Sequence, residues 1–101
     1  MPQEADINKV ETWFRENFPG HAVVWKDIGD REVILFQAHE EKPRAPRFEL
    51  EVSYEAFEDH GADVIMRDLT AKRVADRLQQ DPAVRLMYDR RRTLSETDRH
   101  S

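Results

Sequence analysis

Two glutamates, Glu49 and Glu51, are separated by one residue in the run FELEVS, so on a strand their side chains point to the same side. The rise per residue sets their carboxylates roughly 6.5–7 Å apart, which would suit paired acid/base catalysis. The competing interpretation is that alternating glutamates protect an exposed edge strand from aggregation. We favour the second interpretation, which makes the pair structural.

The serines and histidines form no recognisable catalytic or metal-binding pattern. Ser53 lies at a predicted helix cap, whereas Ser95 and Ser101 belong to a polar terminal run. The four histidines lack the spacing of two zinc ligands on one helix, and the chain has no cysteine. Its three glycines are isolated, which excludes a glycine-rich phosphate loop. We therefore expect no enzyme activity, no metal site and no cofactor.

Positive charge near the end of the chain is the main alternative candidate for function. Residues 1–65 hold seven Lys/Arg against fifteen Asp/Glu, giving −8, and residues 66–101 hold nine against six, giving +3. Six of these nine basic residues are the candidate contacts of a nucleic-acid partner, namely Lys72, Arg73, Arg77, Arg90, Arg91 and Arg92.

Acidic residues interleaved with this cluster, and the acidic body, weigh against a phosphate backbone as its partner. Arginines at a helix end also have a structural explanation, because they oppose the helix dipole by about 0.3–1 kcal/mol per site. A third interpretation is that the tail docks on an acidic surface. We expect the helix-end role, so a nucleic-acid partner is the less favoured alternative.

Composition predicts one small globular domain. The chain has 101 residues, of which 39% are apolar and 37% charged, so the apolar residues must be concentrated on buried faces. The longest apolar run, VILF, has four residues, and the first twenty residues are too charged for a signal peptide. With the absence of cysteine, these features favour a soluble cytoplasmic protein.

The first half of the chain predicts a helix followed by three strands. Apolar residues at steps of three and four indicate a helix from about residue 6, capped by Asp6, to residue 17, before Pro19 and Gly20. The runs Ala22–Lys26 and Glu32–Ala38 flank DIGD, whose Gly29 could supply a positive φ, and predict a hairpin. A charged, proline-containing loop over residues 39–47 precedes a third strand from Phe48, which we expect at a sheet edge.

Helical signals dominate the second half. Ser53 is a candidate cap, Tyr54–His60 can form two turns, and Gly61 can end them. Helical spacing continues beyond Gly61, and Asp81-Pro82 predicts a new helix. The expected fold is α+β, with an N-terminal helix, a three-stranded antiparallel sheet and then C-terminal helices. We expect a single domain over residues 1–94 and a flexible polar tail over residues 95–101.

The run FELEVSYEAFEDHGAD, a strand ending at Ser53 and leading into a short capped helix, resembles a segment of a family of small bacterial domains of unknown function. The resemblance covers about 16 of the 101 residues. It implies a short sheet followed by helices, and it implies no activity.

The predicted sheet has a second face that needs a cover. The first two strands are apolar on both faces, so an apolar patch would meet water unless the helix after Pro82 or a second copy covered it. We slightly favour a homodimer, because the acidic body of one copy and the basic tail of another attract. The expected function is a non-catalytic interaction or regulatory domain that acts through protein contacts. The candidate protein interface comprises Trp25, Ile34, Phe36, Val84, Met87 and Tyr88.

Overall fold

The computed structural model of the chain describes residues 1–40 and 46–97. Its order is α1 (Glu4–Asn17), β1 (Ala22–Ile28), a 3-10 turn (Gly29–Arg31), β2 (Val33–His39), β3 (Pro46–Ser53), α2 (Tyr54–Ala71), α3 (Val74–Gln80), β4 (Arg85–Tyr88) and β5 (Leu94–Thr97). The strands form one sheet in the order β1-β2-β3-β4-β5. Only β3 and β4 are parallel neighbours, and the other pairs are antiparallel.

This architecture confirms the α+β class and the N-terminal helix. The prediction of a three-stranded sheet followed by terminal helices is wrong in two respects. The sheet has five strands and is mixed, and the helices after β3 connect it to β4 instead of ending the chain. A connection between parallel strands has to return along the sheet, which is the role that α2 and α3 fill.

Helix α1 follows its apolar spacing, with Ile7, Val10 and Phe14 fully buried. Gln3, and not the expected Asp6, is the N-cap, so the helix begins two residues earlier than predicted. It ends at Asn17. The dihedral angles of Phe18 (φ −128°, ψ 66°) are no longer helical, as expected for a residue before proline.

The predicted hairpin is present, but it turns differently. The 3-10 turn at Gly29–Arg31 joins β1 to β2, and the positive φ of 54° belongs to Glu32 and not to Gly29. The register places Trp25 opposite Phe36 and Val24 opposite Gln37. Because side chains alternate along a strand, these two pairs lie on opposite faces of the sheet.

One face of the sheet forms the core with all three helices. Its strand residues include Ile34, Phe36, Leu50, Val52 and Tyr88, each fully buried, and these pack in one cluster with apolar residues of α1, α2 and α3. Residues of the opposite strand parity are absent from this cluster. We call their side the helix-free face; it carries, in strand order, Val24, Lys26, Leu35, Gln37, Glu49, Glu51, Arg85, Met87, Ser95 and Thr97.

Helix α2 begins as predicted and consists of two helical segments that meet at Gly61. The Ser53 hydroxyl accepts a hydrogen bond from the Ala56 backbone N–H at 3.1 Å, which confirms the cap. Gly61 has φ 79° and ψ 166°, a non-helical conformation that favours glycine, so the helical turns that begin at Tyr54 end at Gly61 as predicted, and a second helical segment follows across this kink.

The predicted helix after Pro82 is wrong. Residues 85–88 form β4, whose Leu86 pairs with Leu50 and whose Tyr88 pairs with Val52. β5 contains residues 95–97 of the predicted tail, and residues 98–101 lie outside the described part of the chain, as do residues 41–45 of the predicted loop. Within the described ranges, no helix is long and apolar enough to cross a membrane.

Candidate binding surface

The two glutamates of the run FELEVS lie in the middle of the sheet. Strand β3 is flanked by β2 and β4, and Glu49 and Glu51 are 3% and 0% exposed. The prediction that they protect an exposed edge is therefore wrong, because no solvent-facing edge is present at this strand. A buried carboxylate needs hydrogen bonds and a compensating charge.

Arginines supply that compensation on the helix-free face. Arg85, opposite Glu49 in the register, donates from Nη1 to Glu51 Oε2 at 2.9 Å and from Nη2 to Glu49 Oε2 at 3.2 Å. Arg31 donates from both terminal nitrogens to the two Glu51 oxygens at 2.6 and 2.8 Å, and Gln37 donates to Glu49 at 2.7 Å. We call these five residues the charge network. Its two carboxylates and two guanidiniums cancel in formal charge.

The charge network changes the character of the second face of the sheet. Among the described residues, the large apolar side chains that are exposed are Met1 and Val24, and Val24 alone of these lies on this face. Leu35 is 5% exposed although no core helix covers it. The predicted apolar second face is therefore wrong, because this face is occupied by paired charges.

A cleft of about 410 Å³ lies beside the charge network. It is formed where β3 and β4 end, between the 3-10 turn, the beginning of α2 and the turn after β4. Six of its nine lining residues are charged, and the full set is Arg31, Glu32, Val33, Ser53, Glu55, Met87, Asp89, Arg90 and Arg91. We call this surface the cleft.

The turn between β4 and β5 forms one wall of the cleft. The Asp89 carboxylate accepts hydrogen bonds from the backbone N–H groups of Arg91 and Thr93 at 2.9 and 3.1 Å. Arg90 pairs with Glu55 at 2.6 Å, and its carbonyl oxygen lies 2.6 Å from His60 Nε2. Within residues 1–40 and 46–97, Arg91 forms no side-chain ion pair or hydrogen bond. Arg91 is also exposed, so its guanidinium is available at this wall.

A second ion pair holds the same turn to α2. Asp68 is 6% exposed. Arg92 donates one hydrogen bond of 2.7 Å to each of its carboxylate oxygens, and the Tyr88 hydroxyl donates a third at 2.5 Å. We call these three residues the Asp68 cluster. The Arg92 hydrogen bonds, aided by the one from Tyr88, outweigh burial and lower the pKa of Asp68 to about 2. Burial, followed by the hydrogen bond to Asp68, raises the pKa of Tyr88.

The Asp68 cluster predicts a loss of stability in acid. Because the folded pKa of about 2 lies below the usual 3.8, the ionised carboxylate stabilises the fold above pH 4, and this contribution is lost as the pH falls toward 2. The shift corresponds to roughly 2 kcal/mol. In urea unfolding at a series of pH values, the free energy of unfolding of the native chain should fall more steeply between pH 4 and 2 than that of Asp68→Asn. Parallel curves for the two proteins between pH 4 and 2 would contradict the assignment.

The six residues predicted as a protein interface do not share a surface. Ile34, Phe36 and Tyr88 are fully buried in the core, and Trp25 is partly buried against it. Val84 and Met87 are partly buried, and Met87 lines the cleft. The proposed interface is therefore corrected, because the strand register places Ile34 and Phe36 under the helices.

The six predicted polyanion contacts are divided between two regions. Lys72 and Arg73 lie at the junction of α2 and α3 and Arg77 lies within α3, whereas the three consecutive arginines lie in the turn after β4. Among the described residues, three of the six form ion pairs, as Arg73–Asp76, Arg90–Glu55 and Arg92–Asp68. The arginines of this turn follow a strand, so the expected helix-end role does not apply to them.

Sequence reasoning did not identify Arg31, Gln37 and Arg85 as partners of the glutamates, nor Asp68 as the partner of Arg92. The partners are separated by 12 to 36 residues, and no local pattern reports such pairings. Comparisons of the chain with models of protein families, with curated proteins and with solved structures gave no match. The resemblance to a family of small bacterial domains stays a prediction.

Proposed function

We propose that the chain is a non-catalytic interaction domain and that it binds a protein partner at the cleft. The observation that carries the proposal is the composition of the cleft wall. Three arginines, Arg31, Arg90 and Arg91, line the cleft together with the acidic Glu32 and Glu55 and the apolar Met87. Arginine and methionine are enriched at protein interfaces, where arginine also provides much of the binding energy.

The chemistry of the cleft favours a polypeptide over a small molecule. Its volume of about 410 Å³ falls within the range of ligand pockets, but such pockets are mostly apolar with few polar groups. Here two-thirds of the lining residues are charged, with three of each sign. A partner segment with charges of both signs would match this wall better than an apolar or a singly charged ligand.

The charge network supports a binding role without catalysis. Glu49 and Glu51 are engaged by Arg31, Arg85 and Gln37 through hydrogen bonds of 2.6–3.2 Å. A general acid or base needs access to a substrate proton, and both carboxylates are buried beneath these contacts. These two carboxylates therefore support the sheet beside the cleft and do not serve as catalytic groups.

Arg91 provides the test of this proposal. We expect a tagged native chain to capture a protein from a lysate of its source organism, and titration calorimetry with that purified protein to give a measurable affinity. Arg91→Glu should weaken the affinity at least tenfold, because it reverses the charge at the centre of the turn wall. Arg77→Glu is the matched control: Arg77 is also exposed, lies on α3 and should leave the affinity unchanged.

Two results would contradict the proposal. One is a captured partner that binds Arg91→Glu and the native chain equally well. The other is salt-sensitive binding of the native chain to duplex or single-stranded nucleic acid that is lost when Arg90, Arg91 and Arg92 are replaced together. The second result would establish nucleic-acid binding as the function. The ion pairs of Arg90 and Arg92 within the chain argue against that outcome, because they occupy two of the three arginines.

A further inference from the structure

The sheet has two edges, and they differ in length and in what they expose. β5 has four residues, whereas β1 has seven and pairs only with β2 among the described strands. An edge strand presents a row of backbone N–H and C=O groups that another strand can bind. β1 is therefore the longer of the two templates for strand addition.

The centre of β1 carries apolar side chains that are not fully buried. Val24 is 42% exposed and is, with Met1, one of two exposed large apolar side chains in the described part of the chain. Its neighbour Trp25, on the other face, is only partly buried against the core. Lys26 is exposed and has no ion pair within the described residues. Two apolar side chains thus remain partly in water in the middle of an unpaired edge.

We propose that β1 pairs with β1 of a second copy, antiparallel about a two-fold axis at Val24. Pairing about such an axis keeps each residue on its own face, so only registers that oppose residues of the same strand parity are allowed. In this register Val24 lies opposite Val24 of the partner copy, Val23 opposite Trp25, and Ala22 opposite Lys26. The two sheets would then form one continuous sheet of ten strands.

The alternative registers are less favourable for reasons of charge and burial. An axis at Lys26 opposes two lysines directly, and an axis at Asp27 opposes two aspartates, and like charges in these positions are destabilising. An axis at Trp25 places Val24 opposite Lys26 and Val23 opposite Asp27, so neither valine meets an apolar side chain. Only the axis at Val24 covers Val24 and Trp25 with apolar partners while opposing no like charges.

The contact is small, which predicts weak association. An edge pairing of five residues buries less than the roughly 1,600 Å² of a standard interface, so we expect dimers only at high micromolar concentration. Each copy carries a net charge of −5, and the two copies repel. The dimer should therefore become tighter as salt screens this repulsion. This inference goes beyond the proposed function, because β1 contributes no residue to the cleft.

Cysteine cross-linking tests the register, since the native chain has no cysteine. In the proposed dimer, Val24→Cys places the thiols of the two copies directly opposite each other. Lys26→Cys introduces a thiol on the same strand and the same face, but the thiols of the two copies are then offset by four residues. Under mild oxidation, Val24→Cys should form disulfide-linked dimers at least tenfold faster than Lys26→Cys. Reaction of each variant with a small aromatic disulfide corrects for differences in intrinsic thiol reactivity.

Equal rates for the two variants after this correction, or a faster rate for Lys26→Cys, would overturn the register. Light scattering of the native chain provides an independent measurement that does not depend on any variant. We expect the mean mass to rise from 12.0 kDa toward twice that value with concentration, and to rise further with salt. A mass that stays at 12.0 kDa at every concentration and salt level would overturn the dimer itself.

Discussion

Replacement of Arg85 by methionine should lower the free energy of unfolding by about 3 kcal/mol, because it leaves two buried carboxylates without their shared partner. Arg85 is 9% exposed and bridges Glu49 and Glu51. Methionine keeps most of the side-chain volume, so the loss reports the missing charge and hydrogen bonds. Glu51 retains Arg31, which keeps the expected loss at the lower end of the range for broken buried ion pairs.

Urea unfolding of Arg85→Met, with the midpoint and slope fitted together, measures this effect. Arg77→Met is the matched control, because Arg77 is exposed and the described residues give it no ion pair, and it should change stability by less than about 0.5 kcal/mol. Arg85→Lys should lie between the two, since lysine keeps the charge but cannot fork across two carboxylates. Equal losses for Arg85→Met and Arg77→Met would show that the charge network contributes nothing to stability.

Phe36→Ala should lower the free energy of unfolding by about 3–5 kcal/mol, as expected for the loss of a large aromatic side chain from a core. Phe36 is fully buried, lies opposite Trp25 and Leu50 in the register and contacts the Phe14 ring at a centroid distance of 6.4 Å. The cavity left by alanine would lie between the sheet and α1, where the surrounding side chains belong to packed helices and strands.

Thermal and urea unfolding of Phe36→Ala should be compared with Val24→Ala, which removes an apolar side chain from the neighbouring strand but at a site 42% exposed. The control should lose less than about 1 kcal/mol. If Phe36→Ala instead kept its stability and changed only the state of association, Phe36 would be an interface residue, as its place in the predicted interface implies.

The elements predicted well from sequence are those with strong local signals. Helix α1 has a regular apolar stripe and a proline after its end, and the Ser53 cap is followed at once by helical residues. The prediction for residues 85–88 was wrong because Val84, Met87 and Tyr88 also fit the three- and four-residue spacing of a helix. A run of four residues cannot decide between these periods, and pairing with Leu50 and Val52 of β3 decided it.

The same limit explains the position of β3. The alternation of FELEVS correctly indicates a strand with one acidic side, but alternation does not distinguish an edge strand from a central strand whose charges are paired. The deciding partners, Arg31 and Arg85, are 20 and 34 residues from Glu51. The cleft depends on that long-range assembly, so only its individual arginines could be identified from the sequence.

Hydrogen exchange of the complex tests most directly whether a protein partner binds at the cleft. With the captured partner bound, we predict slower exchange of backbone amides at Glu32 and Val33, at the beginning of α2 and in the turn Asp89–Arg91, with α3 unchanged. Protection confined to α3 or to β1, with the cleft amides exchanging as in the free chain, would contradict the claim.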